Sequence, residues 1–465
     1  MSTPPSTPSS TPLTTHDALQ VGARDHLVQH FAKQQGSDLL VLERGEGPYV
    51  YDTRGTQYID ALSSLFCSQL GYSYGEEFAE AATRQLTTLA FNTNWNTAHP
   101  ASIELAEMIS DRAPADDYKV MFTGGGSESV ESAWKMVREH FDALGQPQRV
   151  KAIARRTAYH GVTLGALSFT GVPGFKSGFG TAPIEVSHVS STNAFRAPDG
   201  DDPAAFCARL LAEVEDAILA AGADEVALII AEPVQNAGGC FVPPPGYWQG
   251  LRALADKYGT LLMADEVITG FGRIGEWFAV AREGVAPDLI SVAKGITSAY
   301  APMGAVLVRS HVLEPLVDQG KVYRHGITFG GHPVSAAIAR RNIEIFERDG
   351  VLENVRTLAG PLGEKVATLL DLPIVGDVRG AGFFWAMELV KDDEATRFEK
   401  EERDELLRAF LPRRLREAGL IARCDDRGDA VLQIAPPLIS DEALLEEIVS
   451  RLRDVLADAG EHMKL

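Results

Sequence analysis

The chain has 465 residues, 45% of them apolar and 23% charged, enough for two or three domains around a large core in an ordinary water-soluble protein. Acidic residues outnumber basic ones, 64 to 43, giving a formal charge of −21, which disfavours nucleic acid or an anionic membrane as the main partner. Cys67, Cys207, Cys240 and Cys424 lie far apart, with neither metal-site nor disulfide-framework spacing, as expected of free thiols in a reducing cytoplasm. No stretch is apolar for long enough to span a bilayer.

Met1 to Thr15 are almost all Ser, Thr and Pro, without Lys or Arg. Such a segment is not a secretory signal and cannot bury enough surface to order itself, so residues 1–15 are expected to form a disordered tail. From Asp17 to about Gly71 a short helix mixes with strand-like pieces, Tyr49-Val50-Tyr51 and Gln57-Tyr58-Ile59. Helical periodicity follows at Phe78–Leu86.

Between about residue 100 and residue 330 the pattern alternates. Apolar runs recur at Lys119–Phe122, Val226–Ile230, Leu261–Met263, Leu289–Val292 and Gly304–Val308, with helical stretches such as Ala204–Ala221 and Tyr247–Tyr258 between them. This predicts an α/β fold, a mainly parallel sheet flanked by helices. Beyond about residue 335 helices surround shorter strands such as Gly382–Glu388, a smaller α+β unit. The expected division is 16–75 joining the small domain, 76–335 the large domain and 336–465 the C-terminal small domain.

Several chemistry-bearing segments close these runs, where open α/β sheets hold their ligands. Phe122-Thr-Gly-Gly-Gly-Ser-Glu-Ser129 leads into a helix, so backbone amides can converge on an anion, and Ser127 can both cap the helix and bind a phosphate oxygen. Ser129 stands where a nucleophile elbow needs Gly, which argues against a serine hydrolase. Glu232 follows the run ending at Ile230, and Asp265 closes the run Leu261–Ala264, where a carboxylate needs a cationic or hydrogen-bonding partner. Lys294 ends Leu289–Ala293, a position where desolvation favours the neutral, nucleophilic amine. Tyr159-His160 adds an aromatic–histidine pair. Each feature alone has a plain reading: a glycine turn, a loop cap, a solvated lysine. Pyridoxal phosphate (PLP) explains them together. It needs a lysine for its aldehyde, a carboxylate for its pyridine nitrogen, a glycine-rich helix start for its phosphate and flat partners for its ring.

With these motifs in place, the chain resembles the class III aminotransferases of the fold-type-I PLP enzymes. The matching segments are Thr123–Ser129, Tyr159–Gly161, Glu232–Val234, Asp265–Arg273, Ala293–Gly295 and Thr328–Pro333, spread in order from about residue 20 to the C-terminus. Within that family the chain is most similar to the (S)-selective amine:pyruvate omega-transaminases. The resemblance implies that Lys294 bonds the cofactor aldehyde and Asp265 pairs with the pyridinium. Val267 and Tyr159 would sandwich the ring, Gly126 and Ser127 bind the phosphate, Thr328 reach it from the other subunit of a homodimer, and Glu232 support the ring beside its oxygen. Phe66, Trp95, Tyr159, Ala237 and Ile268 would line the amine pocket. Arg423 matches the mobile arginine that takes the carboxylate of a keto acid, pyruvate by expectation, with Arg427 as a competitor. The sequence departs from the family where Gly124-Gly125 precede Gly126-Ser127 and where Phe66-Cys67 replaces a Trp-Cys pair.

The expected function is therefore ping-pong transfer of an amino group from a primary amine to pyruvate. The alternatives are a β-alanine or 4-aminobutyrate transaminase and a PLP-binding regulator without turnover. Against the last, the N-terminal tail is too short and polar for a DNA-binding module.

Overall fold

A computed structural model describes residues 15–32 and 39–465. The expected disordered tail lies outside the described residues except for Thr15, whose hydroxyl caps the helix His16–His26. No helix among the described residues is long and apolar enough to cross a membrane.

Strands fall into three sheets. The first pairs β1 (Leu42–Glu46), β2 (Tyr49–Asp52) and β3 (Gln57–Asp60) in antiparallel fashion. Seven strands make the central sheet: β4 (Tyr118–Thr123), β5 (Lys151–Arg155), β6 (Glu185–Val189), β7 (Val226–Ala231), β8 (Leu261–Asp265), β9 (Leu289–Val292) and β10 (Gly304–Arg309), in the order β4-β10-β9-β8-β7-β5-β6. The pairs from β9 to β6 are parallel, and β10 runs antiparallel to both of its neighbours. Every residue of β7, β8 and β9 is buried. Helices cover both faces of such a sheet, so its central strands read as unbroken apolar runs.

The third sheet contains β11 (Val375–Ala381), β12 (Phe384–Leu389), β14 (Arg423–Asp425) and β15 (Val431–Ile434), in the order β11-β12-β15-β14. β13 (Leu420–Ile421) instead joins the first sheet, lying parallel to Ile59-Asp60. The N-terminal strands and the C-terminal region are thus hydrogen-bonded together. Arg273, fully buried, binds across all three regions by donating to Phe383 O at 3.3 Å, Pro436 O at 2.5 Å and Ser63 Oγ at 3.1 Å.

The expected run Gly382–Glu388 is divided. Gly382 has φ +56° and turns the chain, and the strand starts at Phe384. A side chain at Gly382 would strike the backbone of Ile274 at 2.4 Å, so only glycine fits this turn.

Candidate active site

The carboxyl ends of β8 and β9, the β4 turn and the β14 hairpin converge on one cavity of about 1420 Å3. Asp265 is the last residue of β8 and lies in register with Ser291 of β9. Ser291 donates its hydroxyl to Asp265 Oδ1 at 3.0 Å, the Val267 amide donates to the same oxygen at 3.1 Å, and His160 Nδ1 lies 2.7 Å from Oδ2. Asp265, His160 and Ser291 are all buried. A carboxylate offers about four lone pairs, so these three bonds leave one acceptor site on Asp265.

Lys294 follows β9 with φ +45°, a left-handed conformation that lysine rarely adopts, and is half-buried. Burial pushes its amine below the ordinary lysine range, while Cys67, Asp265 and Glu232 pull the other way. Glu232 follows β7. It accepts from the Tyr159 amide at 3.3 Å and from the Asn236 amide at 3.0 Å, and burial pushes its carboxyl up.

The helix Gly126–Ala143 starts at the cavity wall. The expected Ser127 cap is corrected here. Gly125 is the N-cap, the helix begins at Gly126, and no side chain caps it. Ser127 lies one residue inside and its Oγ instead accepts from the Val162 amide at 3.3 Å. A Cβ on Gly126 would press to 3.2 Å on both methyls of Val267, so glycine lets the helix start close against the wall.

Phe66, Gly126, Ser127, Tyr159, Glu232, Asp265, Val267, Ile268, Lys294 and Arg423 all line this cavity. Three expected residues do not. Ala237 is fully buried away from the lining, with its neighbour Asn236 facing the cavity instead. Trp95 is 57% exposed and Thr328 is exposed too. Both lie outside the cavity, on a surface where Phe91 and Phe329 stack edge-on at 5.6 Å.

The sequence pattern gives His160 no role and does not single out Ser291. Ser291 left a signal: it is the one polar residue in the buried strand Leu289–Val292, and a buried hydroxyl needs a partner. His160 left none, because its approach to Asp265 spans 105 residues of chain.

The family model "Aminotransferase class-III" matches residues 30–456. The chain belongs to the class III aminotransferases. A probable aminotransferase of Mycobacterium tuberculosis is 46% identical over 93% of this chain and 92% of its own length. The putrescine–pyruvate aminotransferase of Pseudomonas aeruginosa is 39% identical over 94% of this chain and 95% of its own. Among solved structures, an (S)-enantioselective omega-transaminase from Thermomicrobium roseum superposes with a TM-score of 0.90 at 38% identity, covering 96% of this chain and 99% of that one. The omega-transaminase of Pseudomonas jessenii, solved with pyridoxamine phosphate (PMP), matches with a TM-score of 0.90 at 36% identity over the same shares.

Class III aminotransferases use PLP, and the residues of this one fit it. Asp265 keeps an acceptor site for a ring N–H, Lys294 presents a desolvated amine, and the helix start at Gly126-Ser127 offers backbone donors. The buried Nε2 of His160 has no partner among the described residues, a second polar atom left open at this cavity.

Proposed function

We propose that this aminotransferase moves an amino group from a primary amine to pyruvate, with preference for (S)-amines, working as a homodimer. The observation that carries this reading is Arg423. It lines the cavity with its guanidinium carbon 6.0 Å from the centre of the Phe66 ring, and its buried Nε has no partner among the described residues. Burial and the neighbouring charge of Arg427 push its pKa down. A cation held this way gains when a keto-acid carboxylate arrives, and its long stem lets it turn aside for an apolar amine. The aromatic and aliphatic lining from Phe66, Tyr159 and Ile268 suits the body of such an amine.

When bound, PLP supplies an electron sink for the electrons left as the donor's α-carbon loses a proton. Lys294 Nζ would accept that proton and later return it, its burial favouring the neutral amine that can do so. Asp265 would take the ring nitrogen, and His160, Ser291 and the Val267 amide hold its carboxyl group in place. Tyr159 and Val267 would hold the ring between them, Gly126 and Ser127 would take the phosphate, and Glu232 would support the ring. Thr328 and Trp95 reach the partner's cavity from the exposed surface around Phe91, Phe329 and Trp95, which are 42%, 65% and 57% exposed.

The test is a donor screen with pyruvate, read as alanine formed. (S)-1-Phenylethylamine should react and its (R) enantiomer should not. Faster turnover of β-alanine or 4-aminobutyrate would overturn this choice in favour of an ω-amino acid transaminase; two tomato relatives 35% identical to this chain are named gamma-aminobutyrate transaminases.

A further inference from the structure

Two arginines of the short strand–turn segment 423–427 line the same cavity wall, yet they are held in opposite ways. Arg427 forms a closed pair with Asp425. Its Nε donates to Asp425 Oδ1 at 2.8 Å and a terminal nitrogen donates to Oδ2 at 2.5 Å, while its own backbone amide also donates to Oδ1 at 3.0 Å. The side chains are 5% and 1% exposed. Burial works against both charges, but each outweighs it for the other: Asp425 is held below the ordinary carboxylate range and Arg427 above the ordinary arginine range. The Gly238 amide approaches Asp425 Oδ2 at 3.4 Å, and Arg379 in turn donates to Gly238 O at 3.1 Å and Gly239 O at 2.6 Å. The carboxylate is therefore anchored outside the segment that carries Arg427.

Arg423 has none of this. Among the described residues its buried Nε finds no hydrogen-bond partner and its guanidinium forms no ion pair; the centre of the Phe66 ring lies 6.0 Å from the guanidinium carbon. The third arginine of the lining, Arg408, is paired with Asp426.

We propose that Asp425 sets the choice of acceptor: by holding Arg427 in a closed pair it leaves Arg423 as the single arginine of the described lining able to take a carboxylate, so the cavity selects monocarboxylate keto acids and rejects dicarboxylates. A second carboxylate entering this wall has two poor options. It can meet Asp425 with its partner still bound, which is repulsive, or it can break a buried, doubly hydrogen-bonded pair. Either way the expected discrimination is about 100-fold. This inference rests on the amine:pyruvate reading.

The experiment compares kcat/KM for pyruvate and for 2-oxoglutarate with one amine donor, in the wild-type holoenzyme and in D425N, R427M, D425N/R427M and R423M. Wild type should prefer pyruvate by about 100-fold. D425N should narrow that preference about tenfold by freeing Arg427, and adding R427M should restore it. Equal use of both acceptors by wild type overturns the proposal, as does a D425N effect that is the same for both acceptors. If D425N fails to fold, R427M against R423M decides. R427M should lose much less pyruvate turnover than R423M, and equal losses overturn the proposal. A normal R423M defect with an unchanged D425N preference sinks this inference alone, whereas no alanine from any amine sinks the function it rests on.

Discussion

Across the cavity, the wall made by the strand ends of the central sheet faces the wall made by the β14 segment. On the first wall the key polar group is bonded before any ligand arrives: Asp265 has Ser291, His160 and the Val267 amide. On the second, Arg427 is closed on Asp425 while the buried Nε of Arg423 has no partner among the described residues. A group that must present one fixed charge throughout a reaction belongs on a rigid, buried sheet. A group that must accommodate two different substrates in turn is better left under-bonded on a short edge strand. Rigidity and vacancy are thus divided between two sheets meeting at one cavity.

The sharpest way to break this comparison is at its centre. Lys294→Ala should lower turnover by roughly four orders of magnitude or more and remove the visible absorption of the bound cofactor, read by spectroscopy on the purified protein. Normal turnover with an intact band would sink the assignment. Asp265→Asn should come next, with a loss in kcat of roughly 100- to 1000-fold and the cofactor still bound. On the opposite wall, Arg423→Ala should raise KM for pyruvate about 100-fold, and should affect the half-reaction with an apolar amine far less. An equal effect on both half-reactions would mean that the second wall is as fixed as the first.

Smaller effects sharpen the contrast. Ser291→Ala removes one of three bonds to Asp265 and should lower kcat about tenfold for every donor and acceptor alike. A change confined to one acceptor would contradict its place on the rigid wall. The mildest expectation concerns Glu266, next in the chain, which burial raises from the usual 4.5 to about 7 although Thr269 and the Val280 amide both donate to it. A carboxyl raised on folding contributes stability that is complete below its unfolded pKa of 4.5 and is lost as pH rises through about 7. Thermal midpoints should therefore fall with pH across that window, and Glu266→Gln should flatten that part of the profile.

Much of the fold was legible because burial leaves a mark on composition. β4, β7, β8, β9 and β10 read as apolar runs, and Asp265 and Lys294 are conspicuous because a charge closes each run. β5 and β6 escaped notice. Lys151-Ala-Ile-Ala-Arg155 and Glu185-Val-Ser-His-Val189 carry charged or polar residues, and β6 lies at the sheet edge, where one side of the ladder is open. The antiparallel direction of β10 left no trace either, since an apolar run reads the same whichever way the strand points.

By itself the sequence determined the α/β class and the kinds of group that gather at the strand ends, since solvation restricts where a lysine or an aspartate can follow a buried strand. Its ordered motifs also identified the family. Only the tertiary structure decided who serves whom. It gave Asp265 to His160 and Ser291, closed Arg427 on Asp425, left the buried Nε of Arg423 without a partner among the described residues, turned Ala237 away from the cavity, and put Trp95 and Thr328 outside it. Such pairings depend on register and on contacts between distant parts of the chain, and no local pattern encodes them.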